Sequence, residues 1–330
     1  MVVVLLLGGT ALCAAAAALM AWSLVHPPRM SDGKAMWVLK RLSPSDLGLE
    51  FKDLKFMVRD ERGAQLPLVA WWIPHPRAEG RCVVLVHGYA DAKVGAIAWA
   101  PVWHSLGFNV LTPDMPAHGE SGGRVCTGGF FEREDLSQVI DELRASKPEQ
   151  TRVLVLAGLS MGAAIAAATA HQREDIAAVV LDSVYANFRN AAMRHMSWVG
   201  LPGGWIQGMA IRLAGWMTGA DLESINPAEL IATMKCPAMV IEAGKDWSLS
   251  DDDREALKQA VETHKQKYGT TELWTVEGTG HLMALAADAN VYRDRVGNFL
   301  SAALKSNVEN PVEAGISIDS GTKRTTDVVS

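Results

Sequence analysis

Short, unbroken apolar runs recur along the chain, separated by longer stretches whose apolar residues fall at helical spacing. The runs are RCVVLVHG (81–88), FNVLTPD (108–114), RVLVLAG (152–158), IAAVVLDS (176–183), PAMVIEAG (237–244) and ELWTVEG (272–278). None alternates apolar with polar residues along its length, so each predicts a strand buried on both faces, as in a parallel sheet. EREDLSQVIDELRAS (132–146) places Leu136, Val139, Ile140 and Leu143 on one helical face. Residues 92–106 predict a helix ending at Gly107, residues 251–266 another, and a last helix runs to Leu304. LKFMVRD and LVAWWIP, separated by ERGAQLP, predict an antiparallel pair ahead of the first buried strand. Strand alternating with helix predicts an α/β fold on a mostly parallel sheet with right-handed crossovers.

Some stretches leave this rhythm. Residues 187–235 lie between the strand ending at Asp182 and the strand starting at Pro237. They carry Met193, Met196, Trp198, Trp205, Met209, Trp216 and Met217 around a central GLPGG. A crossover needs one helix, so this length predicts an inserted helical lid. Its Trp and Met side chains either pack the lid onto the core or line an apolar pocket.

The first 25 residues are the second departure. Val2–Val25 contains no charged residue. As a helix it would span about 36 Å, against a hydrocarbon core of about 30 Å. Three readings compete: a single-pass N-terminal membrane helix, a cleaved signal peptide favoured by the alanine tract, and a buried core helix. No Lys or Arg precedes the run, and it exceeds a signal-peptide core in length, which favours the membrane helix. Arg29, Lys34, Lys40 and Arg41 follow it. The positive-inside rule then places the domain in the cytoplasm, with an exported domain as the alternative. Residues 26–48 read as a polar linker and residues 49–304 as the folded domain. Residues 305–330 lack a periodic apolar face and predict a disordered tail.

Net charge is −6, and no basic stripe or nucleic-acid motif is present, so nucleic acid is excluded as a partner. Cys13, Cys82, Cys126 and Cys236 form neither a CxxC pair nor a zinc-spaced cluster with histidine. They read as free thiols, and no metal site is indicated.

LAGLSMGAAIAAA (156–168) carries the candidate chemistry. Gly158 and Gly162 flank Ser160 at two residues on each side. The chain has 29 glycines, and composition alone gives roughly 0.15 such matches in this length. The setting adds the rest. A buried strand precedes the serine and an alanine-rich helix follows, as a sharp strand-to-helix turn requires. Side chains two residues either side would collide there, which favours glycine. A serine needs a base, and the base needs a carboxylate to orient it. In this sheet such residues lie in loops after strand ends. His281 follows the strand at 272–276 and Asp246 follows the strand at 237–244, with Asp182 the alternative acid. Two backbone N–H groups would hold an oxyanion: Met161, next to the serine, and Tyr89 in LVHGYAD.

LVHGYAD, DMPAHGESGG, GLSMG, NPAELIATMKCPAMVIEAGKD and GTGH together resemble the α/β-hydrolase superfamily, most closely its serine aminopeptidase-like and monoacylglycerol-lipase-like branch. The resemblance covers residues 50–304. It implies an eight-stranded sheet with helices on both faces and the second strand antiparallel. It also implies a helical lid after the sixth strand and no metal or organic cofactor. The implied activity is a serine hydrolase cleaving carboxylic esters, lipid or other apolar acyl esters among them, through an acyl-enzyme. An aminopeptidase or amidase of the same fold is one alternative, with Glu223 and Glu229 available near the lid to bind an amine. A non-catalytic binding relative is another. One departure is KDWSLS, where Trp247 stands beside the acid and either narrows the site or packs under the lid.

Overall fold

The computed structural model describes residues 2–197 and 204–309, with side chains over 10–197 and 204–305. Eight strands form one sheet: β1 (Lys52–Arg59), β2 (Gln65–Ile73), β3 (Arg81–Val86), β4 (Asn109–Pro113), β5 (Val153–Leu159), β6 (Ala178–Asp182), β7 (Ala238–Ala243) and β8 (Glu272–Val276). Their spatial order is β1-β2-β4-β3-β5-β6-β7-β8. β2 runs antiparallel to both β1 and β4, and every other pair is parallel. The five central strands are buried almost throughout, matching their unbroken apolar runs. β5 is central. Its Gly158 pairs with Val86 of β3 on one side and with Leu181 of β6 on the other. The C-terminal ends of these three strands therefore lie level at one edge of the sheet.

Helices cover both faces. They are α1 (Val2–Val25), α2 (Asp32–Leu39), α3 (Lys93–Ala96), α4 (Ala100–Ser105), α5 (Glu132–Ser146) and α6 (Met161–Gln172), then α7 (Phe188–Ser197), α8 (Gly204–Thr218), α9 (Pro227–Thr233), α10 (Asp251–Lys267), α11 (Ala284–Ala287) and α12 (Ala289–Glu309). Val84, Leu154 and Leu156 join the core under α5, α6 and α10. Val83, Leu85 and Val155 join the core under α3, α4 and α12. Alternate residues of one strand thus feed two hydrophobic layers. In α6, Ala163, Ala164, Ala166, Ala167 and Ala168 are all buried, and their small side chains let the helix axis approach the sheet closely.

The structure departs from the sequence reading at several places. The single helix expected over 92–106 is two short ones, α3 and α4. Pro101 sits in the first turn of α4, where a missing N–H is tolerated, and it cannot continue a helix arriving from Lys93. Residues 26–48 carry α2 and a short 3-10 turn. Between β6 and β7 lie α7, α8 and α9. Residues 198–203, Trp198 among them, fall outside the described residues, as do residues 310–330 of the expected tail.

The single-pass membrane anchor, with the placement built on it, is corrected. Among the described residues no helix is long and apolar enough to cross a membrane. The side chains of α1 are described from Thr10 onward, and their inward face belongs to the domain itself. Ala17, Met20, Ala21, Leu24 and Val25 are buried in the core shared with α6 and α8. The end of the helix is bonded in as well. The Tyr89 hydroxyl donates to the Ser23 carbonyl at 2.6 Å, and the Cys126 N–H donates to the Val25 carbonyl at 2.8 Å. Arg29, one of the residues read as an orientation signal, donates to the carbonyls of His118, Gly119, Ser121 and Gly123. One face of this segment is buried against α8 while Leu12, Leu19 and Trp22 on the other are exposed, and hydropathy does not distinguish apolar surface buried in protein from apolar surface buried in lipid.

Deleting residues 2–25 should destabilise the domain by about 5 kcal/mol, from the five apolar side chains exposed on their partners and on the lost segment. A truncated domain that melts at the temperature of the full chain would contradict this packing.

Candidate active site

The turn from β5 to α6 is sharp enough to strain the chain. Ser160 sits at φ 54°, ψ −115°, in a region that L-residues with a side chain rarely adopt. The two flanking glycines explain why the turn closes. A Cβ on Gly158 would stand 2.2 Å from the Gly162 carbonyl oxygen and 2.4 Å from Ala163 Cα. A Cβ on Gly162 would stand 2.2 Å from the Val86 carbonyl oxygen and 2.4 Å from that of His87. Each neighbour is backbone and cannot swing away. The turn presses α6 against the end of β3 and lifts the serine side chain above the sheet edge.

Two loops from other strand ends meet that side chain. His281 Nε2 lies 2.9 Å from Ser160 Oγ, and His281 Nδ1 lies 2.7 Å from Asp246 Oδ2. An ionised carboxylate only accepts, so the Nδ1 proton points at Asp246 and Nε2 is left to accept from the serine hydroxyl. Burial alone would raise the Asp246 carboxyl. Hydrogen bonds from His281 and from Ser248 outweigh it and hold the carboxyl below its ordinary range. Ser248 donates to Asp246 Oδ1 twice, from its N–H at 2.8 Å and its hydroxyl at 2.6 Å. Arg254 braces the same loop by donating to the carbonyls of Ala243 and Asp246 and pairing with Glu242.

The structure brings Ser160, His281 and Asp246 into one hydrogen-bonded line. Asp182, the alternative acid, is elsewhere engaged. It accepts from Ser183 Oγ at 3.0 Å, Tyr292 Oη at 3.0 Å and Trp99 Nε1 at 3.3 Å. Complete burial pushes its carboxyl up to about 6, against the pull of those donors. Asp182 still serves the histidine loop indirectly. Ser183 Oγ accepts from the Leu282 N–H at 3.0 Å, which ties the residue after His281 to the tip of β6.

Tyr89 and Met161 border the same space, and neither backbone N–H has a protein acceptor among the described residues. Met161 is the first residue of α6, where helix N–H groups are left open. The loop bearing Tyr89 is held from below by two neutral histidines. His87 Nδ1 donates to the Gly88 carbonyl while its Nε2 accepts from the Met115 N–H. His118 Nδ1 donates to the Pro116 carbonyl and its Nε2 accepts from the Ala90 N–H at 3.2 Å. Burial, with the neighbouring His87, pushes His118 down to about 3, so it stays an acceptor at neutral pH. Beneath them Lys93 is buried against Asp114, with Nζ at 2.7 Å from Oδ2, and also pairs with Glu120.

A cavity of about 350 Å³ opens beside Ser160 and is lined mostly by apolar groups, including Leu24, Tyr185, Phe188, Ala192, Trp247 and Leu282. Trp247 lies 5.8 Å from the His281 ring, centre to centre, and forms part of this wall. From the inserted helices the cavity takes Phe188, Ala191, Ala192 and His195 of α7. Among the described residues it takes no Met or Trp from them: Trp205, Met209, Trp216 and Met217 are exposed, Met196 is buried in the core and Met193 packs against it. Glu223 pairs with Arg189, and neither Glu223 nor Glu229 borders the cavity. Sequence reasoning missed Ser248, His118 and Leu24. The first had a legible signal in Asp-x-Ser, since a hydroxyl two residues on readily turns back to the carboxylate.

A nucleophile-type elbow after β5, an acid loop after β7 and a histidine loop after β8, all at one edge of the sheet, are the layout of the α/β hydrolases. The model of the alpha/beta hydrolase family matches residues 83–293, and the chain belongs to that family. It is 26% identical over 234 residues to the uncharacterized protein YqkD of Bacillus subtilis, covering 68% of this chain and 72% of that one. It is 26% identical over 245 residues to the uncharacterized protein YfhR of Escherichia coli O157:H7, covering 72% and 77%. Among solved structures it is similar to the Pyrococcus furiosus esterase Pf2001, at 25% identity and a TM-score of 0.67, covering 84% of this chain and 98% of that one. The chain is thus a hydrolase of the α/β fold, with its eight-stranded, mostly parallel sheet as expected.

Gly162→Ala should cost about 3 kcal/mol or more, because the methyl group meets the Val86 and His87 carbonyls. Chemical denaturation of the variant reads this directly. An unchanged midpoint would contradict the close approach of α6 to β3.

Proposed function

We propose that the protein hydrolyses carboxylic esters through an acyl-enzyme formed on Ser160. The observation that carries this is the hydrogen-bonded line from Ser160 through His281 to Asp246 at the wall of an apolar cavity. The Ser160 oxygen attacks the ester carbonyl carbon as its proton passes to His281 Nε2. The carbonyl π electrons move onto oxygen, and the N–H groups of Tyr89 and Met161 donate to that oxyanion. Collapse re-forms the carbonyl and breaks the bond to the alkoxide, which takes the proton from His281 and leaves as the alcohol. Water then repeats the sequence on the acyl-enzyme. It gives one proton to His281, the Ser160–acyl bond breaks, and the carboxylic acid departs as Ser160 recovers its proton. Asp246 keeps its charge throughout and stabilises the imidazolium. Ser248 is a positioning residue that holds the second carboxylate oxygen.

Esters are favoured over aminoacyl substrates because neither Glu223 nor Glu229 borders the cavity, and burial raises the carboxyl of Asp91, the carboxylate among its described lining residues, away from the charged form that would bind an amine. A cavity near the small end of the range for ligand sites, with apolar walls, suits short to medium apolar acyl esters. The similarity to an esterase of Pyrococcus furiosus supports the same reading. α7, α8 and α9 act as the lid, and α7 forms its inner surface.

Ser160→Ala should lower kcat/KM for p-nitrophenyl butyrate by about 10⁴-fold or more, with an unchanged melting curve. Asp246→Asn should lower kcat by about 10³-fold or more. Ser248→Ala should lower kcat about tenfold with a smaller change in KM, since its hydroxyl acts mainly through Asp246. Near-normal turnover by the Ser160→Ala protein would overturn the proposal.

A further inference from the structure

We propose that Leu24, in the last turn of α1, is a specificity-determining residue: it forms an inner wall of the substrate cavity and limits the length of the apolar chain the site accepts. This rests on the esterase reading given above. Leu24 is 8% exposed and borders the same cavity as Ser160, Tyr89 and Met161. Residues on each side of it are fastened to the rim of that cavity. The Ser23 carbonyl takes the Tyr89 hydroxyl at 2.6 Å, and the Val25 carbonyl takes the Cys126 N–H at 2.8 Å. Tyr89 and Cys126 are themselves cavity residues. The last carbonyls of a helix have no partners within the helix, so the C-terminal turn of α1 is free to spend them on the site.

Two further observations fix the wall in place. Four backbone carbonyls of the 118–123 loop accept from the Arg29 guanidinium, five residues beyond Leu24. The same loop holds His118, whose Nε2 takes the Ala90 N–H next to Tyr89. Met20 and Ala21, one turn before Leu24, are buried with α8 in the core. The wall therefore cannot withdraw without breaking bonds to the loop that carries Tyr89. A flexible surface leucine would yield to a longer substrate. A leucine clamped on each side sets a length limit, because an extra methylene must displace packed backbone.

The test uses the full-length chain and a series of p-nitrophenyl esters from acetate to dodecanoate, together with a series of alkyl butyrates varied in the alcohol. Leu24→Ala should raise the kcat/KM ratio of octanoate to butyrate, or the matching ratio in the alcohol series, about tenfold. Leu24→Trp should lower the same ratio about tenfold. Leu24→Val and Leu24→Phe should move it in the same opposite directions by smaller factors, and they serve if the larger changes do not fold. Leu19→Ala lies on the exposed face of the same helix, so its ratio should stay within about twofold of the parent's. Opposite-signed shifts cannot come from general loosening of the fold. Folded Leu24 variants that keep the parent ratio in both series would overturn the proposal while leaving the esterase reading intact. A parent chain that cleaves no ester and takes no fluorophosphonate label would overturn both.

Discussion

The contact between the β5–α6 turn and the end of β3 governs the rest of the site. Gly162 packs on the carbonyls of Val86 and His87, and Gly158 packs on Gly162 and Ala163, so no Cβ fits at either position. That contact holds Ser160 at a backbone geometry costing about 1–3 kcal/mol, which only a rigid surround can maintain. The same closeness brings the Gly88–Tyr89 loop to the serine: a Cβ on Gly88 would lie 3.4 Å from Ser160 Cβ. The serine and the N–H groups proposed to receive the oxyanion are thus set by one packing event. Adjacent parallel strands then bring the acid and histidine loops to the same edge without a separate device.

Behind this turn lies a buried, hydrogen-bonded polar group centred on Asp114. Asp114 accepts from the Lys93 N–H at 2.6 Å, from Lys93 Nζ and from the Glu120 N–H. Ser121 Oγ donates to the Asp114 carbonyl and accepts from the Val69 N–H. These bonds lock the DMPAHGES segment, which in turn presents His118 to Ala90 and three carbonyls to Arg29. A buried network of this kind rigidifies what rests on it, since a half-made version would cost more than an apolar one. Through Arg29 and Tyr89 it also fixes the end of α1. The N-terminal helix is therefore part of the substrate cavity's wall.

The central sheet was legible because strands buried on both faces leave unbroken apolar runs, and the GLSMG turn was legible because steric exclusion leaves glycine at fixed offsets. His281 and Asp246 could be placed by their positions after strand ends, and the structure brings both to Ser160. Other features lay beyond a linear reading. α1 looks the same whether its apolar face meets lipid or α8, because hydropathy records only the absence of water. In the sequence Trp216 and Met217 are open to packing the lid on the core or to lining a pocket, yet they face outward, while Phe188, Ala191, Ala192 and His195 of α7 line the cavity. Ser248 and His118 act by hydrogen bonds to backbone and carboxylate, which depend on loop shape. The break between α3 and α4 follows from Pro101, a signal present in the sequence.

In the proposed mechanism Ser160 carries the acyl group during turnover. Acid quenching of the protein during hydrolysis of p-nitrophenyl acetate, followed by intact-mass measurement and peptide mapping, tests it directly. One acetyl group on the peptide containing Ser160, arising with a burst of p-nitrophenol and absent from the Ser160→Ala protein, is the predicted result. Turnover with no acyl adduct, or with the adduct on another residue, would contradict it.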